Sequence, residues 1–484
     1  MDVESKPDLG IVACVLYYPN AVKLIHAPQE VKKCMIEVVN EVNRQLKRVD
    51  IVKCKIKQGI PKYYMVIKAW AKSYDHEDIG YGMLIVIRFL EEIYKLGYDP
   101  IVSSSLDKKD LSTIYFKKVT GSRQGRAIWC LTPHLMKELF LVRADDEIRG
   151  IVRQVVDSSW PKGISREETK QFGHEELYRI VLKGYPWQAS TEEECFRSKQ
   201  MVTRILGTLA EQKHKLFASI NLQGFYDSLF FVEDEDYTIG GQDVCLISLN
   251  HADRLRLSGP ADFEVLTANI TAVAELLHMN ITNQSPVFES WEMTLSGKPW
   301  AATRERAVAA RMFLSKMFEA LISRGWALVN RLDLSQSWLD NKCAMVFVRS
   351  VPVICKFACI YVSGKSGLIL IDLPQNVITS LRTLIRKIYA PGVLYEKQVG
   401  LTVYEIELHG LPWISGHGKK EITGEVLHGR SLMADILADL SASGWQFVAS
   451  IDIAADKDEN WDNIYDPHTW FFTYWPEVGK QEEE

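Results

Sequence analysis

The sequence predicts an α+β protein made of four tandem repeats of roughly 110 residues, each ordered β-β-α-β-α-β-β. Three recurring features carry this reading. A Gly-x-Pro-Trp turn occurs as Gly184-Tyr185-Pro186-Trp187, Gly297-Lys298-Pro299-Trp300 and Gly410-Leu411-Pro412-Trp413. A cysteine within an apolar strand recurs at Cys14, Cys130, Cys245 and Cys359, at intervals of 116, 115 and 114 residues. A helical stretch ends on Gly followed by an aromatic residue at Gly97-Tyr98, Gly325-Trp326 and Gly444-Trp445, where glycine takes the left-handed conformation that closes a helix. The period exceeds the roughly 20–50 residues of solenoid repeats, so each unit should be a small domain. On this phasing the units cover residues 9–118, 124–232, 241–349 and 355–476.

Within a unit, the cysteine strand meets a turn and a second apolar strand: Ala21 to Ile25, Lys137 to Val142, Arg254 to Leu257 and Gly367 to Ile371. Pro28, Pro260 and Pro374 then open a helix, a place where the missing proline N–H costs nothing. The apolar residues Val377, Leu381, Leu384, Ile385 and Ile388 repeat with helical spacing, as do Val31, Met35, Val38, Val39 and Val42. An aromatic-led stop follows, at Trp160-Pro161-Lys162-Gly163 and Tyr389-Ala390-Pro391-Gly392. A single strand such as Val403 to Leu408 leads to the Pro-Trp turn, the second helix comes next, and two strands finish the unit. The copies have drifted. The first carries Lys68-Ala69-Trp70 where the turn belongs, and the second has Lys213-His214 in place of Gly-Trp, which predicts a looser joint there.

Composition sets the class. With 47% hydrophobic and 25% charged residues and a net charge of −5, the chain reads as an ordinary globular protein. That balance argues against a nucleic-acid partner, since phosphate neutralisation needs clustered Lys and Arg. Nine cysteines without a Cys-x-x-Cys pair suggest reduced, buried thiols. Asp2, Glu4 and Asp8 speak against a secretory signal, and no apolar run is long enough to span a bilayer. The expected location is cytoplasmic.

Several residues carry chemistry that a site could use. The Gly-x-Pro-Trp turns offer a flat indole face for a ligand, but a residue recurring once per repeat reads first as a structural marker. The strand cysteines lack a neighbouring base and read as packing. Ser363-Gly364-Lys365-Ser366-Gly367 ends like a phosphate loop but has Cys359 where that loop needs glycine, so it reads as a hairpin turn. The last unit gathers His409, His417, His428 and His468, with His417 and His428 expected in a loop insertion, yet without metal-ligand spacing. Ser103, Ser219 and Ser450 recur with an acid or amide two places on, and no histidine in register completes a triad. No cofactor or metal is expected.

Two surface stretches remain. Lys53, Lys55 and Lys57 alternate and would share one face of an extended segment in a basic first unit. At the other end, Trp461, Trp470 and Trp475 flank an acidic loop and are expected to be partly exposed. The resulting functional expectation is a non-catalytic protein-interaction scaffold with a protein partner, homo-oligomerisation staying open. The alternative is a small-molecule-binding protein or enzyme with a pocket between repeat units lined by the Gly-x-Pro-Trp turns.

Overall fold

A computed structural model of the chain describes residues 10–17, 21–46, 53–57, 62–66, 76–106, 110–119, 121–222, 226–240, 243–259, 263–334, 344–414, 424–453 and 468–476. The first repeat holds β1 (Ile11–Tyr17), β2 (Ala21–Ile25), α1 (Gln29–Gln45), β3 (Lys53–Lys57), β4 (Lys62–Val66), α2 (His76–Lys95), β5 (Tyr98–Ser104) and β6 (Asp110–Lys118). The second holds β7 (Ile128–His134), β8 (Glu138–Val142), α3 (Asp146–Ser159), β9 (Ile164–Phe172), β10 (Glu175–Leu182), α4 (Glu192–Glu211), β11 (His214–Asn221) and β12 (Asp227–Glu233). The third holds β13 (Val244–Asn250), β14 (Arg254–Ser258), α5 (Phe263–Leu276), β15 (Ile281–Val287), β16 (Ser290–Leu295), α6 (Glu305–Ile322), β17 (Trp326–Leu332) and β18 (Ala344–Arg349). The fourth holds β19 (Lys356–Ser363), β20 (Gly367–Ile371), α7 (Gln375–Ile388), β21 (Val393–Gln398), β22 (Val403–Leu408), α8 (Gly424–Ala442), β23 (Trp445–Ile451) and β24 (Thr469–Tyr474).

The tandem α+β repeat is therefore present, with one more strand per unit than the sequence pattern suggested. Between the two helices runs a hairpin, β3–β4, β9–β10, β15–β16 or β21–β22, rather than a single strand. Its outer strand is polar, as in Arg166, Glu167, Glu168 and Lys170 of β9, so it lacks the apolar alternation by which a strand is recognised. Each repeat forms one six-stranded sheet of identical order, β3-β4-β2-β1-β6-β5 in the first and β21-β22-β20-β19-β24-β23 in the fourth. Every pairing resolved in the first and fourth sheets is antiparallel.

Register corrects the cysteine alignment. Cys130 faces Val142 and Cys359 faces Ile371, the last residues of β8 and β20. In the first sheet that position belongs to Ala13, facing Ile25, and in the third to Leu246, facing Ser258. Cys14 and Cys245 thus sit one residue out of step, which puts them on the opposite sheet face. Both faces of these central strands are buried, so a cysteine fits on either.

The joint at Lys213 is also tighter than expected. Lys213 takes φ 63°, in the left-handed region of Gly97, Gly325 and Gly444 at the same place. Its carbonyl accepts from Asp234 N–H just as Gly97 accepts from Val119 and Gly325 from Ser350. The geometry is kept without glycine.

The described chain divides into two compact units, residues 1–244 with 332–344, and residues 245–331 with 345–484. Within the first, α2 packs against β7 and β8 of the second repeat, so one core runs from Cys14 and Val31 through Ile87 to Cys130 and Phe230. Within the second, α6 packs against β19, and Phe318 meets Phe347, Phe357 and Phe471 at ring-centroid distances of 6.0, 5.5 and 5.1 Å. Lying between two apolar surfaces explains why Met83 to Ile87 of α2 are buried all round, whereas α1 and α7 bury a single stripe. Among the described residues, no helix is long and apolar enough to cross a membrane.

Candidate interaction site

Each Pro-Trp turn is built the same way. Gly184, Gly297 and Gly410 take φ of 76, 77 and 83°, a region that glycine enters without strain. Trp187, Trp300 and Trp413 are fully buried, and each indole N–H donates to the carbonyl of the first residue of the second strand: Glu138 (2.8 Å), Arg254 (2.9 Å) and Gly367 (3.1 Å). Trp160 Nε1 and Tyr389 Oη brace the turn from outside, donating to the carbonyls of Lys183 and His409 at 2.8 Å. Ring and polar atom of each tryptophan are both committed within its own repeat. Trp70 of the first repeat lies outside the described residues.

The remaining sequence-singled residues go to different places. His417 and Trp461 lie outside the described residues. His428 is half-buried on α8 rather than in a loop, because the helix starts at Gly424. Trp470 is fully buried, which corrects the expectation of partial exposure: it occupies β24 and meets Phe447 edge-on at 5.9 Å. Trp475 is half-buried. Lys53, Lys55 and Lys57 alternate along β3, the edge strand of the first sheet, opposite Val66, Tyr64 and Lys62.

Two polar arrangements emerge only in the structure, the first of them joining Ser450 and His468, which the sequence singles out separately and without a shared register. Ser450 Oγ lies 2.9 Å from His468 Nδ1, and burial, reinforced by Arg331, holds that imidazole well below its ordinary value. Ser103 meets Ser112 at the corresponding strand ends of the first sheet, whereas Ser219 Oγ at that place in the second is buried without a hydrogen bond. The second is a carboxylate clamp. Glu91 of α2 accepts from the N–H of Ile128, where the next repeat begins (2.9 Å), and is held by Arg88 and Arg143. Glu319 of α6 does the same for Phe357 (2.7 Å), with Lys316 beside it at 2.9 Å. In both helices the glutamate stands six residues before the left-handed glycine. Gly207 and Ala438 occupy that place in α4 and α8.

Burial pushes the thiols of Cys14 and Cys130 far up, and those of Cys245 and Cys359 up to about 12, which keeps them protonated and unreactive. Among the described residues, no group of three or more His, Cys, Asp or Glu is placed to hold a metal.

The surface is asymmetric. Of fifteen exposed large apolar residues among those described, only Val119, Met136 and Tyr185 belong to the first unit; the other twelve belong to the second. Seven of these twelve lie in two stretches. One is the linker before β19, with Val351 76% and Ile354 80% exposed. The other is the β21–β22 hairpin, with Leu394 57%, Tyr395 42% and Leu401 100% exposed. The corresponding linker of the first unit exposes one large apolar residue, Val119, and its Arg123 lies 3.6 Å over the Tyr94 ring while donating to the Tyr94 carbonyl at 3.0 Å.

A single-domain family model matches the chain three times, over residues 127–232, 243–348 and 356–473. The first repeat lies outside those ranges although its sheet has the same strand order. No curated protein and no solved structure matches the chain.

Proposed function

We propose that this chain, which belongs to the domain family that matches it over three of its repeats, is a non-catalytic protein-interaction scaffold whose second unit carries the partner surface. The observation behind this reading is that twelve of the fifteen exposed large apolar side chains among the described residues lie on that unit, seven of them in the linker before β19 and the β21–β22 hairpin. Exposed apolar patches on an otherwise well-packed protein mark interaction surfaces. The alternative of a ligand pocket lined by the Pro-Trp turns is weakened by the turns themselves, whose indoles are buried and hydrogen-bonded inside each repeat.

The test is affinity capture with the full chain, compared with Ile354→Asp and Leu401→Asp. Both residues are exposed, so folding should be unaffected and captured partners should be lost from one variant or the other. A capture profile indifferent to both substitutions sinks the reading. A metabolite that clearly raises the melting temperature would instead favour the small-molecule alternative.

A further inference from the structure

The β21–β22 hairpin differs from its counterparts in a way that specifies a ligand. β3, β9, β15 and β21 are all outermost strands, and an outermost strand offers unpaired backbone groups to any passing chain. Three of these edges carry features that discourage pairing. β3 has Lys53, Lys55 and Lys57, β9 has Arg166, Glu167, Glu168 and Lys170, and β15 has Pro286, which lacks an N–H. β21 carries exposed Leu394 and Tyr395 beside only two charges, both ion-paired inside the chain as Glu167 and Glu168 of β9 also are. Glu396 is held by Arg382 (2.6 Å) and Arg386 (2.8 Å), and Lys397 by Glu405 (2.9 Å).

Its surroundings also differ from the first unit. There the β9–β10 turn rests on the end of α1: a side chain added at Gly173 would come within 2.7 Å of Leu46 Cδ2. In the second unit both equivalent elements are shorter. α5 has 14 residues against 17 in α1, and β21 has 6 against 9 in β9. At about 1.5 Å per helical and 3.3 Å per strand residue, those shortfalls are roughly 4.5 and 10 Å. The apolar ends stand in solvent, Leu276 70% and Leu401 100% exposed.

The charge at the edge is positive. Two guanidinium groups share the single carboxylate of Glu396, and exposed Lys387 ends the same helix. We propose that the open edge of β21 takes an extended peptide of a partner protein in which aliphatic and acidic residues alternate, adding it as a seventh strand. Backbone bonds supply the pairing, Leu394 and Leu401 the apolar contact, and Arg386 and Lys387 the preference for acidic residues. This rests on the interaction reading above and names its ligand class. The inner edge of β21 already pairs with such a segment, the Val-Tyr-Glu-Ile-Glu-Leu of β22.

That inner neighbour gives the probe. A fluorescein-labelled peptide of residues 402–409, Thr-Val-Tyr-Glu-Ile-Glu-Leu-His, is titrated against the full chain and followed by anisotropy. Saturable binding is expected, weakened about tenfold or more by Leu394→Glu and by Lys387→Glu. Val265→Glu, elsewhere on the second unit, should change nothing, and a peptide with Lys for both Glu should bind more weakly. Lys387 is exposed on a helix surface, so its variant keeps the fold even if Leu394→Glu does not. Absence of saturable binding, or equal affinity across the variants, overturns the proposal. So does a dimer of the chain that Leu394→Glu converts to monomer, because the edge would then belong to a second copy. Partner capture that depends on Ile354 but not on Leu394 would leave the interaction reading standing while this inference falls.

Discussion

Glu91→Ala is the substitution that most directly tests how neighbouring repeats are joined. Ile128 is 2% exposed and its N–H donates to Glu91 Oε1 at 2.9 Å, so truncation leaves a buried donor with no acceptor. An orphaned group of this kind costs about 1–3 kcal/mol. Arg88 and Arg143 keep Glu175, at 2.8 and 3.3 Å, and are partly solvated, so they add little to the loss. The expected destabilisation is about 2 kcal/mol, centred where the second repeat begins. Glu91→Gln keeps an acceptor for Ile128 and should cost less than about 1 kcal/mol. A chain of two units need not unfold in one step, so native-state hydrogen exchange by mass spectrometry is the better assay. Peptides covering Ile128 should lose protection in Glu91→Ala, and those covering Phe357 in Glu319→Ala, each without effect on the other unit. Equal effects of Ala and Gln, or unchanged exchange at Ile128, would refute the clamp.

The other expectations concern packing, backbone and pH. Gly429→Ala puts a Cβ 2.5 Å from the Pro412 carbonyl and 3.0 Å from the Trp413 ring, and should lower stability by about 1–3 kcal/mol in a denaturant titration. Gly424→Ala, which meets nothing within 4 Å, should be neutral or slightly stabilising. Lys213→Gly relieves a left-handed lysine at the end of α4 and should raise the melting temperature by an amount worth up to about 1 kcal/mol. Trp300→Phe leaves the Arg254 carbonyl without its indole donor and should cost about 1–3 kcal/mol, seen as a lower unfolding midpoint. Burial and Arg331 hold the His468 imidazole neutral when folded, so unfolding takes up a proton once the pH falls below the ordinary value of 6.5. Stability should therefore decline from there downward, by at most about 1.4 kcal/mol per pH unit until the lowered folded value is reached, and His468→Asn should flatten that slope in urea titrations at several pH values.

What could be read in the sequence was what recurs in apolar or glycine chemistry. The Pro-Trp turns, the helix-closing glycines and the paired apolar strands are legible because each imposes a residue type on a fixed backbone shape. The outer hairpin strands were not, since β9 and β15 bury little and carry no period of two worth the name. The cysteines misled by one residue because both faces of the central strands are buried, so nothing in the local pattern says which face a residue takes. The acidic stretch before Trp470 suggests surface, whereas β24 runs beside β19 and is buried along its length to Thr473. The glutamate clamp is in principle visible: Glu91 and Glu319 stand 228 residues apart, with Gly207 at the place between them and Ala438 at the place after. That is a signal of period two, and a search for features shared by all four copies passes over it.

The same alternation bears on where a partner would act. A helix such as α2 or α6 that carries the clamp is buried between two sheets, which takes its surface out of use. Among the described residues, variation among the copies that reaches solvent includes the linkers and the outer hairpins. There the units part company: a linker held by Arg123 on Tyr94 that exposes Val119 alone against an open Val351, Val353 and Ile354, and a charged nine-residue edge against a six-residue edge with leucine and tyrosine exposed. Both changes expose apolar area in water, which disfavours an isolated fold and invites association. Among the described residues, two departures of that kind fall on one unit and neither on the other, which is easier to reconcile with a surface kept for binding than with relaxed packing, because Trp300 and Trp413 of that unit stay fully buried.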